Sequence, residues 1–406
     1  MSLKQRLYPS EEQVALMAMH ADHARFIYNI ALEQRSLWTP AKRYSPHKIT
    51  YNTQARELTE LRKDTDWLRA GSTVVQQGAL RDLDIAFKRF FARQGSYPQF
   101  KSAMSGKDGF AIRDVSLRRI NRKWALILIP KVGWVRFRLS YPWAEAKAAT
   151  SARATFRAGL WHVSLTTPPR AKVFANTGRV VGIDRGVKNT VATNEGNLDT
   201  IPGFSTGEQA RFLALERKLA TQTKGSNRRQ GTLKALATLR GKLSNRRTDW
   251  VEQNTTSLAR SYDLAVLENL QISNMTRKPK PKKDPEKAGA YLPNGAAAKA
   301  GLNRVILASC WGMFATRLEQ KMNVIKVSPV NTSRECRLCH HVSPKNRKSQ
   351  AVFECESCGH EEHADINAAK NILNRALSTP TRGHSGARAK KPASTPIKHL
   401  QAAQAA

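Results

Sequence analysis

The sequence predicts a multidomain α/β protein, and three patterns of apolar residues support this fold class. Residues 11–37, 52–65 and 72–92 repeat apolar side chains at helical spacing. Between residues 111 and 167, apolar and polar residues alternate, which is typical of antiparallel strands with one solvated face. From about residue 178, beginning with the apolar stretch GRVVGID, short apolar strands alternate with long basic helices.

These patterns divide the chain into several parts. The alternating strands predict a small β-barrel, and the helices that interrupt it predict a helical insertion. An α/β domain follows, itself interrupted by a cysteine-containing ribbon, and the last residues carry too few apolar side chains to fold. The predicted boundaries are 1–19 and 98–177 for the barrel, 20–97 for the helical insertion, 178–332 and 363–377 for the α/β domain, 333–362 for the ribbon and 378–406 for a disordered tail.

The net charge restricts the class of partner. The 406 residues include 68 Lys and Arg against 31 Asp and Glu, a formal net charge of +37. Such a self-repelling excess usually reflects a polyanionic partner, here nucleic acid. Charge alone is equally compatible with an enzyme and with a basic ribosome-associated or chromatin-like protein that only binds. Because the sequence has no 18-residue apolar run and no signal-peptide core, we expect a cytosolic or nucleoid-associated protein without a membrane partner.

Four of the five cysteines form two C-x-x-C pairs, Cys336/Cys339 and Cys355/Cys358, separated by fifteen residues. Four thiolates in two such knuckles satisfy tetrahedral Zn²⁺ and leave no position for water, so we predict a structural zinc. The remaining cysteine, Cys310, lies in a Trp- and Phe-rich stretch and is interpreted as a small core hydrophobe.

Three carboxylates stand where elements end or begin. Asp184 ends the apolar strand VVGID, Glu268 ends the strand LAVLE, and Asp365 begins the last predicted helix. Each has an ordinary alternative, as a turn residue, a helix-start charge and an N-cap. Together they form the oxygen-donor set that two Mg²⁺ ions need, one to activate water and one to stabilise the departing oxygen of a phosphodiester.

Several segments resemble one known family. GIDRGVKNTVAT, LAVLENL and CRLC…CESCGH…ADINAAKNIL are similar to the three split RuvC motifs and the inserted zinc ribbon of the TnpB family, transposon-associated RNA-guided nucleases. They are also similar to the compact type V CRISPR effectors descended from that family. RLYPSEEQ, YPQFK and IPKVGWVRFRL resemble its N-terminal module, so the resemblance covers residues 4–377. Two departures are Arg185, where an aliphatic residue is common, and His340, where glycine is frequent.

The resemblance implies an RNase H-like RuvC nuclease domain whose Mg²⁺ ligands are Asp184, Glu268 and Asp365. It also implies that the barrel (the wedge domain) and its helical recognition insertion hold a guide RNA and read a short motif beside a double-stranded DNA target. The ribbon would bind target nucleic acid, and one protein or a homodimer would act with each guide. Tyr51, Gln76 and Gln77 are candidates for reading the motif, because amides suit adenine edges.

Two other functions remain open at this point. The protein could bind DNA under RNA guidance without cutting it, although the three intact acids disfavour this. It could also help transposition without guided cleavage. Transposon nuclease and CRISPR effector are alternatives that the genetic neighbourhood, rather than the chain, distinguishes.

Overall fold

A computed structural model of the chain describes residues 2–36, 49–103, 108–169, 172, 176–285, 287 and 289–378. It divides into two compact units, Met1–Pro169 with Leu215–Thr238, and Arg170–Ala214 with Leu239–Ala406. The α/β class predicted from the sequence is confirmed. The predicted tail at 378–406 lies outside the described residues except for its first position. In the described chain, no helix combines the length and apolarity needed to span a membrane.

The first unit contains a seven-stranded antiparallel sheet of order β2-β6-β7-β1-β5-β4-β3. Its strands are β1 (Ser2–Tyr8), β2 (Asp108–Ile112), β3 (Leu117–Arg119), β4 (Trp124–Ile129), β5 (Gly133–Arg138), β6 (Ser151–Arg157) and β7 (Leu160–Thr166). The helices are α1 (Glu11–Ser36), α2 (Tyr51–Asp64), α3 (Asp66–Ala70), α4 (Thr73–Phe91) and α5 (Trp143–Lys147). In the described chain no ladder joins the edge strands β2 and β3, so a closed barrel stays a prediction.

Alternation of side chains explains the core of this sheet. In β7, Trp161, Val163 and Leu165 are buried and alternate with more exposed residues, as expected for one core-facing side. Helices α1 and α4 cover that core and contribute Leu32 and Leu83, which are almost completely buried.

The second unit contains a five-stranded mixed sheet of order β10-β9-β8-β11-β14. Its strands are β8 (Val180–Asp184), β9 (Val191–Thr193), β10 (Leu198–Asp199), β11 (Leu264–Glu268) and β14 (Asn323–Val327). Strand β11 runs parallel to both β8 and β14, whereas β9 is antiparallel to β8 and β10. Two long helices, α6 (Thr206–Thr221) and α7 (Asn227–Ser261), separate β10 from β11 in the sequence.

The remaining elements follow β11. They are α8 (Ile272–Met275), the short pair β12 (Lys282–Lys283) and β13 (Tyr291–Leu292), α9 (Ala296–Ala308), α10 (Trp311–Lys321), the ribbon strands β15 (Val352–Glu354) and β16 (Glu361–His363), and α11 (Ala364–Ser378). Residues 297–321 are helical, as the apolar spacing suggests, but Cys310 divides them. Its φ of 54° interrupts the helix, and its side chain packs partly buried beside the core of the mixed sheet.

Candidate active site and metal centre

The mixed sheet brings Asp184 and Glu268 to the same edge. Both residues end their strands, and because β8 and β11 are parallel neighbours, their carboxyl ends lie side by side. The register pairs Leu267 with Ile183, so each acid comes one residue after a paired position. The sequence-predicted acids of these two strands are therefore adjacent.

Helix α11 supplies the third acid because it packs very closely on β8. A Cβ atom on Gly182 would lie 2.3 Å from the carbonyl oxygen of Ala369, so glycine is required for this approach. Asp365 lies one turn before Ala369 and is almost fully buried. The helix thereby directs Asp365 towards the strand ends.

The three carboxylates perturb one another electrostatically. Desolvation is the largest cause that raises the pKa of Asp184 to about 7, and the negative charges of Glu268 and Asp365 add to the rise. Burial likewise raises the pKa of Glu268, although the Thr332 hydroxyl and the Arg185 guanidinium oppose the rise. Like charges held together out of water are a mark of functional sites.

Neighbouring side chains bond to carboxylate oxygens of Asp365 and Glu268. Arg347 Nη2 lies 3.0 Å from Asp365 Oδ1, and Asn189 Nδ2 donates to Asp365 Oδ2 at 2.9 Å. The Thr332 hydroxyl donates to Glu268 Oε1. Sequence analysis did not identify these three partners, because they come from distant segments whose meeting depends on the fold.

The buried Arg185 side chain bonds to backbone carbonyl oxygens next to the acids. It is 6% exposed, and its Nη2 donates to the carbonyl oxygen of Glu268 at 2.5 Å, while Nη1 lies 3.4 Å from the carbonyl oxygen of Trp311. In return, Trp311 Nε1 donates to the carbonyl oxygen of Gly186 at 3.1 Å. The residue that departs from the family pattern therefore connects β8, β11 and α10.

The four cysteines of the ribbon converge on one point. Cys336 and Cys358 Sγ are 3.7 Å apart, Cys339 and Cys355 Sγ are 3.5 Å apart, and all four sulfurs lie within 4.8 Å of one another. Zn–S bonds of about 2.3 Å in a tetrahedron require this kind of spacing. Among the described residues, this is the one group of three or more His, Cys, Asp or Glu whose possible ligand atoms all lie within 4.8 Å of one another. The carboxylate oxygens of Asp184, Glu268 and Asp365 are therefore less closely grouped than the four sulfurs.

The departure at His340 has a conformational explanation. Each knuckle turns back through a residue with positive φ directly after its second cysteine, which is Gly359 at 71° in one knuckle and His340 at 59° in the other. Histidine is among the residues that tolerate this region, and His340 Nδ1 lies 3.0 Å from Glu335 Oε1, which anchors the ring. The fold of the knuckle is therefore kept without glycine.

Two asparagines of α11 hold the base of the ribbon. Asn371 Nδ2 donates to the carbonyl oxygens of Thr332 and Glu335, and Asn367 Nδ2 also donates to Glu335. Asn367 Oδ1 accepts from the backbone N–H of Arg337 at 3.2 Å. The D-x-N-x-x-x-N spacing thus places one acid and two ribbon anchors on a single helix.

The three candidates for motif reading lie in the first unit. Gln77 and Arg81 line a groove of about 290 Å³ beside α4, and the Arg81 guanidinium lies 5.5 Å from the ring centre of Tyr51. Gln76 is fully buried, and its Nε2 donates to the carbonyl oxygen of Leu68 at 2.8 Å. Its amide therefore stabilises helix packing here, and its contact to a base stays a prediction.

The fold and site define an α/β protein with clustered acids at a sheet edge and a zinc-ribbon-like cysteine cluster. Three family models match the chain: "Probable transposase" (OrfB_IS605) at residues 162–278, "Cas12f1-like, TNB domain" at 311–372, and a "Helix-turn-helix domain" of the same OrfB group at 1–40. The described residues of the last match form β1 and the single helix α1. The predicted resemblance is confirmed, since the OrfB_IS605 (TnpB) and Cas12f1-like family models match the chain at these residues.

Curated relatives agree with this assignment. The chain is 29% identical over 384 residues to the "Putative RNA-guided DNA endonuclease InsQ" of Escherichia coli K12, covering 92% of this chain and 91% of that protein. It is 28% identical to a "Putative RNA-guided DNA endonuclease" of Streptomyces pristinaespiralis, with 94% and 90% covered. A solved Cas12f1–sgRNA–target DNA complex aligns over 90% of this chain and 83% of its own at 15% identity, with a TM-score of 0.46.

Proposed function

We propose that the protein is an RNA-guided DNA endonuclease that cleaves double-stranded DNA beside a short flanking motif, through one Mg²⁺-dependent RuvC site. The observation that carries this proposal is the meeting of Asp184, Glu268 and Asp365 at one sheet edge, with the pKa of Asp184 raised to about 7. The names of the relatives from Escherichia coli and Streptomyces support RNA guidance and DNA as the target.

The proposed domains follow the predicted boundaries. The mixed sheet with α11 would be the RNase H-like core of the RuvC domain, and the antiparallel sheet with α1 to α4 would be the wedge domain and its recognition insertion. The ribbon would hold one structural Zn²⁺ and contact target nucleic acid. The protein would act on target DNA in the prokaryotic cytosol or nucleoid. One protein or a homodimer would bind each guide RNA.

The donor set of the acid cluster fits Mg²⁺. Carboxylate oxygens are the hard ligands that this ion prefers, and divalent cations would neutralise the negative charge that Arg185 and Arg347 only partly offset in this desolvated cluster of three acids. Bound ions would activate a water molecule and stabilise the departing oxygen of the phosphodiester. Asp184, Glu268 and Asp365 would hold two such ions.

The chain's own side chains orient these ligands. Asn189 and Arg347 bond to the two oxygens of Asp365 and so fix the rotation of its carboxylate. Thr332 does the same for one oxygen of Glu268, and the buried charge of Arg185 offsets repulsion among the acids. Because the carboxylates would already be oriented when the substrate binds, less reorganisation of these side chains would be needed during the reaction.

Sequence recognition would be divided between guide pairing and the protein. Base pairing with the guide RNA would select the target, while side chains around the groove at Gln77 would read the flanking motif. Tyr51 and Arg81 are positioned beside one another for such a contact, whereas Gln76 would have to leave its buried position.

Cleavage of a guide-matched plasmid by the Asp184→Ala variant tests the proposal. We expect the variant to bind guide RNA as the wild type does and to lose Mg²⁺-dependent cutting, with Asp199→Ala as a control because Asp199 is an exposed acid of the same sheet. Residual metal-dependent cutting by Asp184→Ala would refute the assignment of the site. Tight guided binding by a wild type that never cuts would instead indicate an RNA-guided binder.

The guide itself is tested by sequencing RNA that co-purifies with protein expressed from its native flanking DNA. An RNA with an invariant scaffold and a variable end supports guidance. A transposon-end sequence indicates a transposon nuclease, and repeat–spacer units indicate a CRISPR effector. Recovery of bulk cellular RNA alone would favour a transposition helper that binds nucleic acid through its charge.

A further inference from the structure

Three exposed aromatic rings lie within ten residues of one another in the sequence, at the end of α4 and in the loop that follows it. Phe91, Tyr97 and Phe100 are 75%, 39% and 60% exposed. We call these three rings, together with Arg89 and Arg93, the α4 aromatic surface. Single exposed apolar residues need no explanation, but several large rings gathered in one short segment mark an interaction site.

Two rings of the α4 aromatic surface, Phe91 and Tyr97, pack against Phe87 and Phe90. Phe91 stacks on Phe87, which is 8% exposed, at a centroid distance of 6.1 Å and an interplanar angle of 25°. Tyr97 packs edge-on against Phe87 at 5.6 Å and against Phe90 at 5.3 Å. Because one face of this cluster rests on the core, its outer rings present a fixed surface.

The segment that carries Phe100 is also fixed. Asn29 of α1 donates to the carbonyl oxygen of Lys101 at 2.9 Å and accepts from its backbone N–H at 2.8 Å. The Lys101 ammonium lies 3.7 Å from the ring centre of Tyr28. A partner that binds these rings would therefore order few additional groups, which favours affinity.

Unpaired positive charge surrounds the rings. Arg93 lies two residues beyond α4 and has a φ of 57°, and the Gln94 N–H closes the turn on the carbonyl oxygen of Arg89 at 2.8 Å. Lys88 pairs with Asp84 at 2.9 Å, but in the described chain no carboxylate forms an ion pair with Arg89 or Arg93. Both guanidinium groups are exposed and available to phosphates.

We propose that the α4 aromatic surface binds an unpaired segment of the guide RNA, whose bases stack on Phe91 and Phe100 while Arg89 and Arg93 contact its phosphates. Aromatic platforms flanked by cations are the usual means of holding single-stranded nucleic acid without reading its sequence. Aromatic residues and arginine are also enriched at protein interfaces, so the choice of RNA rests on the formal net charge of +37, which favours a polyanionic partner. The inference rests on the proposed binding of a guide RNA.

The guide RNA is favoured over the displaced DNA strand because it would cover the exposed rings for longer. An uncovered apolar cluster promotes association between copies of the protein. The guide RNA would stay bound before, during and after target binding, whereas a DNA strand would be present only during cleavage. The resident partner is therefore the better occupant for rings this exposed.

Substitution of Phe91 tests the stacking. We expect Phe91→Ala to weaken binding of the co-purifying RNA by about 5- to 100-fold, the loss of one base–aromatic stack. Phe91→Trp keeps a stacking face and should bind as the wild type does, while Phe91→Leu keeps apolar area without a ring and should bind as Phe91→Ala does. The control Leu307→Ala removes an exposed apolar side chain of α9, outside the proposed wedge domain, and should change nothing.

Salt dependence and crosslinking provide independent readouts. The double variant Arg89→Gln and Arg93→Gln should reduce the slope of log affinity against log salt by about 0.7 per lost phosphate contact. Ultraviolet crosslinking of the RNA complex should attach nucleotides to Phe91, Tyr97 or Phe100. Unchanged RNA affinity in Phe91→Ala would overturn the proposal, as would wild-type binding by Phe91→Leu, which would indicate apolar contact instead of stacking.

Other occupants give distinct results. A concentration-dependent dimer that Phe91→Ala abolishes without changing RNA affinity would identify a second copy of the chain and overturn the proposal. An effect confined to the complex that contains target DNA would identify the displaced strand and also overturn it. If the wild type bound no discrete RNA, the proposed function itself would fail, which is a different outcome from any difference among the variants.

Discussion

The close packing of α11 on β8 makes Gly182→Ala the most informative single change. The new Cβ would lie 2.3 Å from Ala369 O, 2.7 Å from Leu373 Cβ and 3.0 Å from Leu373 N, against ordinary contacts of 3.4–4 Å. All these atoms belong to α11, and two of them are backbone atoms. No rotation of a side chain can relieve the clash, so the helix must move away from the strand by about 1 Å.

This displacement should affect stability and cleavage together. Overpacking of a tightly packed core typically destabilises a protein by about 1–3 kcal/mol. Asp365 lies one turn before Ala369 on the same helix and should move with it relative to Asp184. Because a misplacement of about 1 Å at a catalytic group can reduce the rate by about 100-fold, we expect Gly182→Ala to lose activity in that range.

The assay compares urea unfolding and single-turnover cleavage of a guide-matched DNA for the wild type, Gly182→Ala and Gly203→Ala. Gly203 is a suitable control because a Cβ there would have no neighbour within 4 Å. Binding of guide RNA should be unchanged in both variants. If Gly182→Ala unfolded at the wild-type urea concentration and cut at the wild-type rate, the coupling of α11 to the acid cluster would be refuted.

Three further predictions concern the same unit. Cys355→Ser should lower the zinc content, measured by elemental analysis, and lower the melting temperature. The control Cys310→Ser should leave the zinc content unchanged. A full zinc content and an unchanged melting temperature in Cys355→Ser would contradict the zinc site. Without Mg²⁺ but with zinc kept, the free energy of unfolding should fall as the pH rises from about 4 to about 7, because the pKa of Asp184 is about 7 when folded and about 3.9 when unfolded, so the folded state holds its proton more tightly; Asp184→Asn should remove this component of a urea series measured across pH. Arg185→Met should destabilise the Mg²⁺-free protein more at pH 8 than at pH 5, because the ionised acids then face no buried cation; equal losses at both pH values would show that its bonds to carbonyl groups matter more than its charge.

The positions of the candidate ligands could be predicted because they depend on local patterns. An acid that directly follows an apolar run must lie at a strand end, and Asp184 and Glu268 are there. Two C-x-x-C pairs specify a four-thiolate cluster by spacing alone, and the sulfurs converge accordingly. The catalytic roles of the acids remain predictions that cleavage assays must test.

The partners of these residues could not be predicted because they depend on tertiary placement. Asn189 reaches Asp365 across 176 residues of sequence, and Thr332 reaches Glu268 across 64. The buried position of Gln76 was missed for a related reason. Glutamine on a helix is usually solvated, and only the meeting of α4 with α1, α2 and α3 supplies the polar groups that permit its burial.

The pattern of α11 links the cysteine cluster to the acids. Asp365 faces the strand ends, Ala369 lies against Gly182, and Asn367 and Asn371 hold the carbonyl groups at the base of the ribbon. Arg347 of the ribbon completes the connection through Asp365. Since both the helix and the ribbon fix the same carboxylate, loss of zinc should disturb Asp365 even though no cysteine touches it. The four-cysteine zinc site would then be required for the order of the three carboxylates, although it would perform no chemistry itself.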